Sequence, residues 1–162
     1  MKKNITIILT IFIAFVFLQS LPFKFGNSLE TQHIFGTLAE WSGFAWFGTY
    51  GGYMVGASEL IASLMLLIPL VSKLIGKPIL QMLFPLGALL ALGIMTGAIY
   101  FHLFTPLGIA QPKFDQLTSA PIADDGGVLF IMACITWVSA LVLVLMDWLS
   151  KDSQLKVLLG KS

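Results

Sequence analysis

Arginine is absent from this chain: all nine basic residues are lysines. Bidentate guanidinium clamps for phosphate or carboxylate are therefore excluded. Cysteine is reduced to Cys134, which rules out an internal disulfide framework and a CxxC redox pair. Alone, the chain should not exchange disulfides. His33 and His102 are the only histidines, and they do not form the paired pattern on facing helices that holds a membrane haem. No residue cluster points to a metal, and neither a Walker motif nor GxGxxG is present. Charge is scarce as well. Only 10% of residues are charged, against about 25% in a soluble domain. The net charge of +1 gives no reason to expect nucleic acid as a partner.

What remains is apolar. Hydrophobic residues make up 57% of the 162 positions, and the mean hydropathy is +0.93. Water would solvate such a surface poorly, so the lipid bilayer is the expected partner. Four stretches reach the roughly 20 apolar residues that a membrane crossing requires: about 5–21, 47–71, 79–104 and 127–149. The expected fold class is all-α, an integral membrane four-helix bundle forming a single transmembrane domain over 1–162. Lys2 and Lys3 before the first apolar run also suit a signal peptide. Leu18 occupies the position where an A-x-A-like cleavage site needs a small side chain, so the first stretch is expected to stay as a helix.

Lysine placement sets the expected orientation. Lys2, Lys3, Lys73, Lys77, Lys151, Lys156 and Lys161 fall on one side, and Lys24 and Lys113 on the other. That bias predicts both termini and the middle loop in the cytoplasm of a bacterial-type inner membrane. Trp41, Trp46, Tyr50, Tyr53 and Tyr100 then gather near the outer boundary, and Trp148 near the inner one, where amphipathic rings are favoured. In the first outer loop, Asn27 and Glu30 have capping-box spacing, which predicts a short amphipathic helix over about 28–38. The second outer loop, 105–125, contains Pro106, Pro112 and Pro121 and is expected to be irregular. Gly48, Gly52 and Gly56, and likewise Gly93 and Gly97, recur at every fourth residue, the spacing that lets helix backbones approach closely.

Glu59 interrupts an apolar helix deep in the membrane, where a charge costs at least ~2.5–3.5 kcal/mol. It shares a helix face with Gly52, Gly56 and Ser63, so it is expected to point into the bundle. Burial favours its neutral form unless a cation or donors surround it. It reads either as a proton-handling or ligand-binding carboxyl, or as a structural link between helices. His102, near the outer end of the third span, reads as a ligand contact or proton relay, or as an interface residue bonded to water. Lys24 either snorkels to the interface or turns inward as counter-charge to Glu59 or a ligand anion. Asp125 either caps the fourth span as part of an Asp-Asp-Gly-Gly turn or forms an acidic lip. Cys134 is expected to be a small packing residue. Helical rise places Glu59 roughly 13 Å below the outer surface and His102 about 3–6 Å below it. Lys24, His102 and Asp125 are therefore candidate ligand-binding residues at the mouth of one polar outer pocket, with Glu59 beneath them and no direct Glu59–His102 contact assured.

The order of several motifs resembles the DoxX family of small four-helix membrane proteins. They are Leu21-Pro22-Phe23-Lys24-Phe25, then Glu59-Leu60-Ile61-Ala62 leading to Leu67-Ile68-Pro69. Gly97-Ala98-Ile99 with His102-Leu103, and Asp125-Gly126-Gly127 with Leu129-Phe130, complete the series. The likeness covers about 5–145, although the stretch 110–123 is longer than is usual in the family. The resemblance implies a link to quinone-coupled respiratory or thiol redox systems, some relatives being described as subunits of quinol oxidase or thiosulfate:quinone oxidoreductase assemblies. It therefore implies a quinone as bound group and a redox partner protein, with no cofactor intrinsic to the chain. A non-catalytic scaffold is the alternative. A small-solute or proton transporter is less favoured, because no inverted repeat is evident.

Overall fold

The four apolar stretches become four long helices in the computed structural model. It describes residues 2–115, 117–150 and 152–160, apart from the side chain of Lys2. Lys151 and Lys161, used above for orientation, lie outside the described residues. In chain order the elements are α1 (Lys2–Phe25), α2 (Leu29–Ser42), α3 (Trp46–Leu74), α4 (Leu83–Phe104), β1 (Pro112–Phe114), β2 (Pro121–Asp124), α5 (Val128–Trp148) and α6 (Gln154–Leu158). The helices α1, α3, α4 and α5 are each long and apolar enough to cross a membrane. The shortest, at 21 residues, spans about 31 Å, close to the hydrocarbon thickness. Large apolar side chains such as Ile8, Phe15, Leu64, Ile131 and Val138 point outward, as lipid contact requires. The protein is an integral membrane protein, mostly helical, with its spans packed as a bundle.

The spans form a closed ring: α1 packs on α3, α3 on α4, α4 on α5, and α5 on α1. Their shared core contains Ile13, Phe17, Leu66, Met95 and Leu143, interleaved with Ala62, Ala88, Ala91, Ala133 and Ala140. The alanines matter because small residues let helices approach where lipid supplies no hydrophobic drive between them. The spacing argument had assigned Gly93 and Gly97 to packing, but a Cβ at either would meet nothing within 4 Å. Gly87 is the close-approach glycine of α4. A Cβ there would lie 2.8 Å from the Met65 Cβ and 3.2 Å from the Ala62 carbonyl oxygen. On α3, Gly51 and Gly52 receive α2 through Phe35 and Thr31, and Gly56 receives Lys24 and Phe25 of α1.

Several boundaries differ from the sequence expectation. Helix α1 continues through Pro22 to Phe25. Proline removes one donor there, a loss that membrane helices tolerate, and Gly26 N–H still reaches the Pro22 carbonyl at 2.9 Å. Helix α4 starts at Leu83 rather than near 79, because Leu80 adopts a left-handed φ of 51° and Ile79 N–H turns back to Ser72 Oγ. Asn27 is not the cap of α2. It has a φ of 49°, and Ser28 accepts the Thr31 N–H instead. Helix α2 is also longer than expected, running to Ser42, where Gly43 in the left-handed conformation ends it.

The second long loop is not wholly irregular. β1 and β2 pair antiparallel, Pro112 opposite Asp124 and Lys113 opposite Ala123. Both prolines begin their strands, where a missing donor costs little. Asp115 holds the turn by accepting the Thr118 and Leu117 N–H groups at 2.8 and 2.9 Å, and those bonds hold its pKa below the ordinary aspartate value. Near the far end of the bundle, the short α6 was not foreseen. Asp147 anchors it by accepting from Ser153 Oγ and the Leu155 N–H.

The two kinds of glycine on α4 should separate on substitution. Gly87→Val is expected to lower stability by about 1–3 kcal/mol through overpacking. Gly97→Leu should leave the melting temperature unchanged or slightly higher, because it meets open space and gains helix propensity. Thermal unfolding of both variants in one detergent checks the contrast.

Candidate binding site

Helix spacing and one close backbone approach build the first polar cluster. Ser20 and Lys24 lie four residues apart on α1 and so share a face. Gly56 admits that face against α3, with its built Cβ only 3.3 Å from the Lys24 Cβ. Glu59, three residues further along α3, is then within reach. Its Oε2 accepts from Lys24 Nζ at 2.7 Å and from Ser20 Oγ at 2.8 Å. Lys24 Nζ also donates to Ser20 Oγ at 2.9 Å. Ser20 Oγ lies 2.7 Å from the Phe17 carbonyl as well, and its single proton serves one of these two acceptors at a time. Glu59 is 3% exposed, so this is a buried, charge-assisted pair. Lys24 therefore turns inward as the counter-charge rather than snorkelling outward.

The second cluster lies on the α4–α5 side. His102, 8% exposed, closes the last turn of α4. Its Nδ1 lies 2.6 Å from the Gly108 carbonyl oxygen. A carbonyl only accepts, so Nδ1 carries the proton. The 3.5 Å approach of Gln111 Nε2 to the same nitrogen is then not a hydrogen bond. Gln111 Nε2 instead donates to the carbonyls of Gly108 and Leu107 at 3.0 and 3.1 Å. Asp125 ties the loop to α5. Its carboxylate accepts from the N–H groups of Gln111, Gly127 and Leu129 at 2.7, 2.9 and 3.0 Å, and its own N–H returns to the Gln111 carbonyl at 2.8 Å. Partial burial pushes the Asp125 pKa up, but the three backbone donors, helped by His102, bring it to a net value below that of an ordinary aspartate. The capping role foreseen for Asp125 is thus visible in its bonds.

Both clusters border one cavity of about 780 Å³, and Glu59, His102, Lys24 and Asp125 are all among its lining residues. All four spans contribute to its wall. Helix α2 contributes Thr31, Ile34 and Leu38, and the hairpin region Lys113. Glu30 of α2 accepts the Phe114 N–H at 3.4 Å, which links these two covering elements. Val16, Met95 and Ala133 line the cavity next to the core. Exposed Met54 and Gly93 border it between α3 and α4. One expectation needs correction: the cavity is mainly apolar, with a minority of polar side chains on its wall. Glu59 and His102 share no hydrogen bond. Among the described residues no group of histidine, cysteine, aspartate and glutamate side chains could hold a metal ion.

Two contributors escaped the sequence reading. Ser20 became legible only once α1 was known to continue past Pro22. Gln111 had no signal at all, because its place depends on a loop folding back onto α4. Beneath the cavity the core is apolar apart from residues such as Thr10 and Thr136, whose buried hydroxyls have no hydrogen-bond partner among the described residues. Comparisons with protein-family models, curated proteins and solved structures found no match to this chain.

Asp125 supplies a pH test. Its folded pKa is depressed, so its stabilisation is full above the unfolded aspartate pKa and is lost as pH falls through the folded one. The Gln111, Gly127 and Leu129 amides should therefore lose hydrogen-exchange protection on acidification below about pH 4. Asp125→Ala should lose about 1–2 kcal/mol of that protection already at neutral pH.

Proposed function

We propose that this protein is a membrane subunit that binds a quinone-like amphiphile in the cavity bordered by Glu59. The observation that carries this reading is a buried ion pair with unused bonding capacity on the wall of an apolar cavity. Lys24 Nζ has three protons and makes two hydrogen bonds within the protein. Glu59 accepts both of its side-chain bonds through Oε2, and among the described residues no donor bonds to Oε1. A headgroup carbonyl fits the free lysine proton, and a headgroup hydroxyl fits Oε1. The volume lies within the range of small-molecule sites, which combine apolar walls with a few placed polar groups.

The motif order described above makes a DoxX-like subunit of a quinone-linked redox system the most specific form of this proposal. Electron-carrying groups would belong to a partner protein. The lysine bias supports an inner-membrane location with both termini cytoplasmic, which puts α2, the hairpin and the cavity in the outer half. A non-catalytic scaffold is the competing reading. It is favoured by the ion pair itself, which joins α1 to α3 without any ligand.

Two measurements check these claims. Binding of decyl-benzoquinone to the purified protein in nanodiscs should weaken about tenfold or more in Glu59→Gln and vanish in Gly97→Leu, which fills the cavity while the fold is kept. Undiminished binding in both variants would refute the site, and no binding to the wild type would favour the scaffold. For orientation, a reporter fused after Ser162 should read cytoplasmic and one inserted beside Lys113 exterior.

A further inference from the structure

Helices α3 and α4 touch at two levels and part between them. At one level Gly87 meets Met65 and the Ala62 carbonyl. At the other, the Phe47 and Phe101 rings meet edge to face, with centroids 6.0 Å apart. Helical period places the residues in between. Met54 and Ser58 continue the row of Ala62 and Met65 on α3, and Ile94 lies midway between Gly87 and Phe101 on α4. Met54 is therefore on the side that faces α4, yet it is 55% exposed. Across the seam Gly93 is exposed as well, and a Cβ on it or on Gly97 would meet nothing within 4 Å. Met54, Gly93 and Gly97 all line the cavity, so the cavity reaches the outside of the bundle between these two helices. Gly93 lies halfway along the 22 residues of α4. That level is hydrocarbon in a membrane whose apolar layer is about 30 Å thick. Ser58, the polar side chain on this seam, spends its proton on the Met54 carbonyl at 2.9 Å.

We infer that the α3–α4 seam is a lateral portal that holds the hydrocarbon tail of a single-chain amphiphile drawn from the bilayer. The inference rests on the proposed binding of a head beside Glu59, and it adds where the tail lies. A hydrocarbon chain suits the seam because no donor there is left to be satisfied, and because the glycines leave width for it. A tail in the seam exchanges lipid neighbours for apolar side chains, while the head is withdrawn to the Lys24–Glu59 pair. On the α1–α5 side the cavity-lining Gln19, Val128 and Leu129 are exposed too. That mouth differs in chemistry and in level. It carries an amide, and Val128 and Leu129 belong to the first turn of α5. A chain leaving there would pass a polar group at a helix end, whereas the α3–α4 seam opens at mid-span.

The test uses the full chain in nanodiscs and a benzoquinone whose hexadecyl tail carries a diazirine at its middle. After photolysis, labelled residues are mapped by mass spectrometry with and without excess decyl-benzoquinone. Labels that the competitor removes mark bound probe, and labels that persist mark probe free in lipid. On the wild type, competed labels should fall on Met54, Gly93 and Ile94. Competed labels confined to Gln19, Val128 and Leu129 would overturn the portal and give the tail the other mouth. Gly93→Phe supplies a second measurement, because it fills the seam where a side chain meets open space. It should weaken binding of the hexadecyl probe about tenfold or more by overpacking. Binding of methyl-benzoquinone, which has no tail to place, should change by less than about twofold. Equal weakening of both probes, or of neither, overturns the portal. If binding is lost in Glu59→Gln but no competed label reaches the seam, the portal fails and the head contact stands. If competed seam labels and affinity both survive Glu59→Gln, the head contact fails and the portal stands. Absence of binding and of any competed label overturns both.

Discussion

A single buried ion pair, Lys24 with Glu59, governs how the rest of this bundle is arranged. A lone carboxylate on α3 would be strongly disfavoured in hydrocarbon, and a lone ammonium on α1 equally so. Their 2.7 Å contact makes each tolerable only if the last turn of α1 lies against α3. That demand explains Gly56, since a side chain there would meet Lys24 and Phe25. It also explains the path of the chain beyond α1, where the Thr31 hydroxyl donates to the Phe23 carbonyl and Phe35 lies over Gly51. The pair, the glycines and the covering helix α2 form one interdependent unit.

The bundle divides by packing. Towards the Lys73–Lys77 end, alanines and Gly87 bring the helices together around Ile13, Phe17, Leu66 and Leu143. Towards the α2 and hairpin end, the helices leave space, and Gly93 and Gly97 border it without a neighbour in contact range. A small residue thus has opposite consequences at different heights of the same helix. At Gly87 it permits contact, and at Gly93 and Gly97 it preserves volume. The polar groups of the cavity are therefore held by rigid spans and by a loop fastened through Asp125. Such fastening matters for recognition, because preorganised groups avoid an ordering cost when a ligand arrives.

Much of this was legible in the sequence, for reasons that depend on range. The four spans follow from local composition, and the inward face of Glu59 from helical period, because both are properties of one segment. Lys24 was legible only as a choice between two directions, since the deciding fact is the approach of a second helix. Ser20 lies inside the first expected span but carried no signal of its own, because its bonds to Lys24 and Glu59 require α1 to continue through Pro22 and α3 to approach it. Gly93 and Gly97 carry the same spacing signal as packing glycines, and only the neighbouring helices distinguish the two uses. The hairpin and Gln111 were hidden because prolines mark a break in helix without saying what forms beyond it, and because the partners of Gln111, at Leu107, Gly108 and Asp125, are brought to it only by the fold of the loop.

The central claim is that Lys24 and Glu59 act as one coupled pair inside the bundle. A double-mutant cycle on unfolding, with Lys24→Met, Glu59→Gln and the combination, measures this directly. The account predicts that Lys24→Met alone costs about 2–3 kcal/mol by leaving a buried carboxylate unpaired. The double variant should recover most of that loss, giving a coupling energy of about 2 kcal/mol. Additive effects, with a coupling energy near zero, would mean that the two side chains do not depend on each other and would contradict the account.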